Sequence, residues 1–251
     1  MGPVERSLTW DGCFNVRDLG GLETASGRRT RHGAVVRADN VRRLTDAGWR
    51  AALDHGIRRI VDLRFDGETL DEADAHIEVE VVTVSLFGRH DPEAARSFDD
   101  RLRATDDVGA VFADGYIRTL ERAPQRVASA VAAVADADEA HGVLVHCFAG
   151  KDRTGIVSAL LLGVAGVPGD AIAADYAASE ANMSGLFDAW VAQARDDAER
   201  ETRQRSALSP AATMEAVLAW LATAGGSTAY LRDAGLTADQ LRRLERRLVA
   251  D

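Results

Sequence analysis

The chain has 251 residues, 46% of them apolar, and a formal net charge of -10. That length and apolar content suffice to bury a sizeable core, so 1–251 is read as a single domain. The acidic balance excludes a nucleic-acid binder, which needs a basic footprint to displace counterions, and no run approaches the ~20 apolar residues that cross a bilayer, so no integral membrane segment is expected.

The opening "MGPVERSLTWDG" lacks the basic and apolar regions of a signal peptide, and Cys13 and Cys147 alone make no disulfide framework. A cytoplasmic location is expected, or export without a recognisable signal peptide, and a monomeric state. Residues 1–40 read as turns and short strands, punctuated by Gly20-Gly21 and Ser26-Gly27. "LTDAGWRAALDHG" reads as a helix with Thr45 as N-cap and Gly56 as its stop. Two runs rich in Val and Ile, 57–63 and 79–87, read as strands.

From 88 to 122 the sequence is polar and helix-prone, a candidate mobile lid over a site. Pro124 starts the next helix, "PQRVASAVAAVADADEA". "GVLVH" reads as a short buried strand, and "TGIVSALLLGVAG" as an apolar helix ending at Gly166. Three further helices are expected in the remainder, including "MEAVLAWLATAG" and "TADQLRRLERRLVA". Strands alternating with helices predict an α/β fold with a central parallel-rich sheet flanked by helices.

Between "GVLVH" and the apolar helix lies "HCFAGKDRTG", residues 146–155, which holds the only lysine among 30 Lys and Arg residues. A loop running from the C-terminal end of a buried strand into a helix is where open α/β sheets place ligands. The backbone amides of Phe148, Ala149, Gly150, Lys151, Asp152 and Arg153 are able to curl around an anion, with the positive end of the helix behind them. Gly150 lets the backbone come close, and Arg153 offers a bidentate grip on two oxygens. The same field favours a thiolate at Cys147, so phosphate cradle and nucleophile coincide. A nucleotide P-loop reading of "GK" fails, because Val145 stands where the first Gly is needed and Asp152 where Ser or Thr should bind magnesium.

The decamer resembles the signature of the cysteine-based protein tyrosine phosphatase superfamily, His-Cys-x5-Arg followed by Ser or Thr, and more closely the bacterial tyrosine and lipid phosphatases. "NVRDLGG", "HGAVVRADNVRRLTDAG", "IVDLRFDGE", "ADYAAS" and "YLRDAGLT" extend the resemblance over most of the chain. The resemblance implies a protein tyrosine phosphatase-like fold with a helical lid segment and C-terminal helices. It implies a phosphomonoester phosphatase acting through a phosphocysteine on phosphotyrosine proteins, and in several members on phosphoserine, phosphothreonine or phosphoinositides, with no metal and no cofactor. Carried over by position, Cys147 is the nucleophile and Arg153 the phosphate clamp. His146 orients the loop, Thr154 hydrogen-bonds the sulfur, and Lys151 adds a second cation at the rim for polyanionic substrates. The proton donor is Asp91, with Asp152 as rival and Asp62 a distant third.

Plainer roles stand beside these. Cys13 reads as a buried inert thiol, His146 as a structural histidine, and Asp91 as a cap for a helix beginning at Pro92. Arg64 and Glu68 read as a surface pair or a brace for the site, and the closing helix as a solvated amphipathic face. The alternative for the whole chain is a catalytically silent phospho-binding module; a sulfur-transferring or arsenate-reducing thiol enzyme fits the loop less well.

Overall fold

A computed structural model describes residues 6–68 and 79–250. Among them, five strands form one sheet in the order β1-β2-β5-β3-β4, with β1 (Arg17–Asp18) antiparallel to β2 (Val35–Ala38) and the other pairings parallel. The central strands are β5 (Gly142–His146) and β3 (Ile57–Asp62), with β4 (Glu80–Thr83) at the edge. The alternation of strand side chains divides the core in two. Val35, Val61, Val143 and Val145 join the larger cluster, while Val36, Ile60 and Leu144 face the smaller one with Trp10 and Trp49.

The smaller layer is closed by α1 (Asp46–Asp54), whose N-cap Thr45 accepts from Gly48 N as its sequence predicts. The other layer holds α2 (Pro92–Arg103), α3 (Val108–Arg122), α4 (Pro124–Ala135) and α5 (Asp152–Val164). It continues with α6 (Gly169–Ala192), α7 (Asp197–Ala207), α8 (Ala211–Thr223), α9 (Gly226–Asp233) and α10 (Ala238–Leu248). The expected α/β architecture is therefore present, but five helices follow α5 where the sequence suggested three. The polar run of α7 buries no residue and carries no apolar stripe to announce it; it is laced instead by Arg195–Glu199, Arg203–Glu199 and Arg205–Glu201 pairs.

Two further expectations change. The strand expected over 79–87 pairs only as far as Thr83; Val84 N makes a last bond to Asp62 O, and Ser85 then turns back to Gly88 O. Within 88–122, α2 is largely exposed, but α3 buries Val111, Phe112, Tyr116 and Leu120 in the larger cluster. Half of the candidate lid segment is thus core helix. Parallel register matters most for function: Ala38 and Asp62 both stand opposite His146, so three strand ends meet where the 146–155 loop leaves the sheet.

Candidate active site

Cys147, 1% exposed, lies in the turn between β5 and α5. The three carbonyls that follow it are all bonded: Phe148 O accepts from Asn40 N at 3.0 Å, Ala149 O from Asn15 Nδ2 at 2.9 Å, and Gly150 O from Arg37 Nη2 at 2.7 Å. In a trans peptide the next N–H points opposite to its carbonyl, so the amides of Ala149, Gly150 and Lys151 face away from these partners, as an anion cradle requires. Gly150 is obligatory: its φ is +65°, and a Cβ there would sit 2.4 Å from Ala38 O. No side chain caps the first turn of α5, leaving its amides and positive end for a ligand.

Behind the loop lies a charged layer that sequence reasoning missed. Asp175 on α6, its side chain 1% exposed, bonds Arg37 at 2.6 Å, Arg17 at 3.1 Å and Arg6 at 2.5 Å. Burial alone would push the Asp175 carboxyl up, but the three guanidiniums hold it well below the usual carboxylate range. Arg17 also donates to Asn15 Oδ1, so the layer grips both the Ala149 and the Gly150 carbonyls. Three arginines against one carboxylate leave positive charge behind the loop. "NVRDLGG" and "ADYAAS" held Asn15, Arg17 and Asp175, but nothing local links positions 158 residues apart.

Arg153 is 8% exposed, with its guanidinium 4.6 Å from the Phe65 ring centre, 5.6 Å from that of Phe87, and Nη1 3.4 Å from Glu68 Oε2. Glu68 therefore pairs with Arg153 and not with Arg64, which instead clasps Asp62 at 2.7 Å. Asp62 is fully buried and committed to Arg64, and so leaves the contest for proton donor. His146 is also fully buried, Nδ1 donating to Cys147 O at 3.0 Å and Nε2 lying 3.7 Å from Asp62. Burial pushes this histidine down toward its neutral form, and Asp62 only partly opposes that. Thr154 Oγ1 is buried with no hydrogen-bond partner among the described residues, the Cys147 sulfur included.

Lys151 does not stand at a rim. It is 2% exposed, its ammonium 4.0 Å from the Phe112 ring centre, bonded to Asp152 at 2.7 Å and to Leu208 O at 3.1 Å. Burial disfavours its charge, but Asp152 and Tyr176 raise its pKa above the ordinary lysine value. Asp152 accepts from Lys151 and from Tyr116 Oη, which is also within 2.9 Å of Tyr176 Oη. Burial would raise the Asp152 carboxyl, yet Lys151, Tyr116 and Arg153 outweigh it and hold it below the ordinary range. Asp91 is the N-cap of α2, its Oδ1 accepting from Glu93 N and Ala94 N. A cavity of about 510 Å³ brings Asp91, Asp152 and Arg153 together with Phe65, Phe87 and Tyr116. Cys13 is a half-buried thiol donating to Asn40 O, pushed up by burial and Asp39.

The sequence profile of the tyrosine phosphatase family matches residues 8–250. The chain belongs to the tyrosine phosphatase family. A tyrosine-protein phosphatase of Nostoc commune is 29% identical over 235 residues, covering 86% of this chain and 74% of its own. The triple specificity protein phosphatase PtpB of Mycobacterium tuberculosis is 30% identical over 202 residues, 70% of either chain. A Cupriavidus necator protein provisionally named a tyrosine-protein phosphatase is 33% identical over 174 residues; the match spans 67% of this chain but only 61% of that one. Within this tyrosine phosphatase family member no helix of the described residues is long and apolar enough to cross a membrane.

Proposed function

We propose that the chain is a metal-independent phosphatase that hydrolyses phosphate monoesters, phosphotyrosine in proteins foremost, through a phosphocysteine. The observation that carries the reading is the outward bonding of three successive loop carbonyls between Cys147 and Arg153. It turns their amides toward a common ligand beside a cysteine, in front of a net positive layer.

In the first step the Cys147 thiolate attacks phosphorus, the phosphorus–oxygen ester bond breaks, and the leaving oxygen takes a proton from a carboxylic acid. In the second, water attacks phosphorus, the sulfur–phosphorus bond breaks, and the proton released by water returns to that carboxylate. Arg153 and the loop amides bind the equatorial oxygens throughout, giving up Glu68 for the phosphate. Asp91 is the donor in this reading, because it lines the shared cavity from α2 and not from the loop that holds the phosphate, and so approaches the leaving oxygen from a side other than the thiolate's. Asp152, with Lys151 on one side and Arg153 on the other, arrives ionised and is better suited to bind than to donate. The aromatic lining of that cavity favours an aryl phosphate; the triple specificity in the name of the M. tuberculosis relative makes substrates beyond phosphotyrosine worth testing, and phosphoserine, phosphothreonine and phosphoinositides remain part of the proposal.

The deciding experiment is turnover of an aryl phosphate in excess chelator, followed by rapid acid quench and mass spectrometry of the Cys147 peptide. Expected are chelator-resistant turnover, a phosphate adduct on Cys147, and none of either in Cys147→Ser, which still binds phosphate. Phosphate binding without turnover by the unaltered protein would instead establish a silent phospho-binding module.

A further inference from the structure

The phosphate loop has a second wall. A separate cavity of about 400 Å³ lies between residues 148–152 of the loop and the C-terminal part of α6, lined by Phe148, Leu186, Phe187, Trp190, Arg43 and Gln193. Only four large hydrophobic side chains are exposed among the described residues, and two of them, Phe148 at 49% and Trp190 at 39%, line this one cavity. Each ring is stiffened by a guanidinium on its face, Arg43 at 5.4 Å from Phe148 and Arg203 at 5.1 Å from Trp190. Two large rings held in place yet uncovered mark a surface prepared to bury something else.

Asp152 and Ser206 line both this cavity and the one containing Arg153. A substrate anchored on Arg153 therefore reaches the second cavity by crossing a single shared border. We propose that the second cavity is a substrate side pocket that receives a large apolar side chain flanking the phosphotyrosine of a protein substrate. The proposal rests on the phosphatase reading above and adds a substrate class to it.

A peptide fits better than a lipid for two reasons. Gln193 and Ser206 place an amide and a hydroxyl on the cavity wall, the donor and acceptor that a passing peptide backbone needs. In a phosphoinositide, moreover, a sugar ring and a glycerol separate the monoester phosphate from the acyl chains. An apolar pocket walled by the phosphate loop itself is too close to that phosphate to receive them.

The test compares phosphotyrosine peptides carrying Leu or Ala at each of the two positions on either side, with a simple aryl phosphate and phosphatidylinositol 3-phosphate vesicles as further substrates. Burying one more aliphatic side chain in a preformed pocket is worth on the order of tenfold in kcat/KM, so one Leu position should exceed its Ala counterpart by about that factor. Trp190→Ala, which opens the pocket, and Ala189→Trp, which fills it, should both shrink the preference to less than about twofold while leaving the aryl phosphate rate unchanged. That unchanged rate also certifies the fold and the loop. Wild-type peptides that do not differ, or a Leu preference that survives both variants, would overturn the side pocket while leaving the phosphatase reading intact. A defect of both variants confined to the vesicles would replace the peptide by a lipid. No aryl phosphate turnover by the wild type would remove the phosphatase reading itself.

Discussion

Lys151 earns its place by burial. Its stem and ammonium cross Phe112, and its two bonds join the phosphate loop to the Leu208 carbonyl between α7 and α8 while keeping Asp152 ionised. Lys151→Met removes the cation bonded to Asp152; breaking a buried pair costs about 3 kcal/mol at the low end of the usual range, because Asp152 keeps Arg153 nearby and some contact with water. A fall of that size in chemical denaturation is expected, with equal fractional loss of turnover on aryl phosphates and on phosphoinositide vesicles. A rim lysine would instead spare the aryl phosphate. Gly150 is the second decisive residue. Gly150→Ala meets both a left-handed φ and the Ala38 carbonyl, so about 1–2 kcal/mol of stability should be lost. Turnover should fall further, by about 100-fold, because a cradle displaced by an ångström no longer fits its anion. Steady-state kinetics beside a urea titration separates the two effects.

At the level of elements, α2 and α5 bring rival carboxylates to one cavity by different means. Asp91 is a cap at the exposed start of α2, whereas Asp152 is locked into the first turn of α5 by Lys151 and Tyr116. Asn is as good an N-cap as Asp, so Asp91→Asn should keep its stability within about 0.5 kcal/mol. It should nevertheless lose about 10² to 10⁴-fold on alkyl phosphates, far less on an activated aryl phosphate, together with the basic limb of the pH–rate profile. If Asp152→Asn produces that pattern and Asp91→Asn does not, the proton comes from the loop. The same pair of elements shows where element reading works. Pro92 and Asp91 announced α2, and a Val–Leu run after a polar loop announced α5. The role of α3 was hidden, because polar residues punctuate a face that turns inward only when α8 packs against it.

For the whole molecule, the buried charges set the response to acid. Asp175 and Asp62 have folded-state values below their unfolded ones, so the unfolded chain binds protons first as pH falls. Their contribution is full above about pH 4 and drains away below it. His146 is held down by burial, so the unfolded state also protonates first there, and stability begins to fall below about pH 6.5. Urea midpoints from pH 8 to 3 should therefore show a shallow decline below 6.5 and a steep one below 4. Asp175→Asn should cost about 3–5 kcal/mol at pH 7 by stranding Arg6, Arg17 and Arg37, and should flatten the acidic branch.

The sequence by itself determined the local parts: the α/β alternation, the strand ending at His146, the glycine in the loop, and the short spacing that sets Cys147 and Arg153 at the two ends of one strand-to-helix turn. These follow from periodicity, backbone preference and short-range geometry, which neighbouring residues carry between them. Only the tertiary structure decided what stands behind and beside the loop. Lys151 became a buried strut, Glu68 the partner of Arg153, and Arg6, Arg17, Arg37 and Asp175 one charged layer. Each depends on side chains from distant strands and helices meeting in a dry interior, where the need to pair every buried charge overrides what any short stretch prefers.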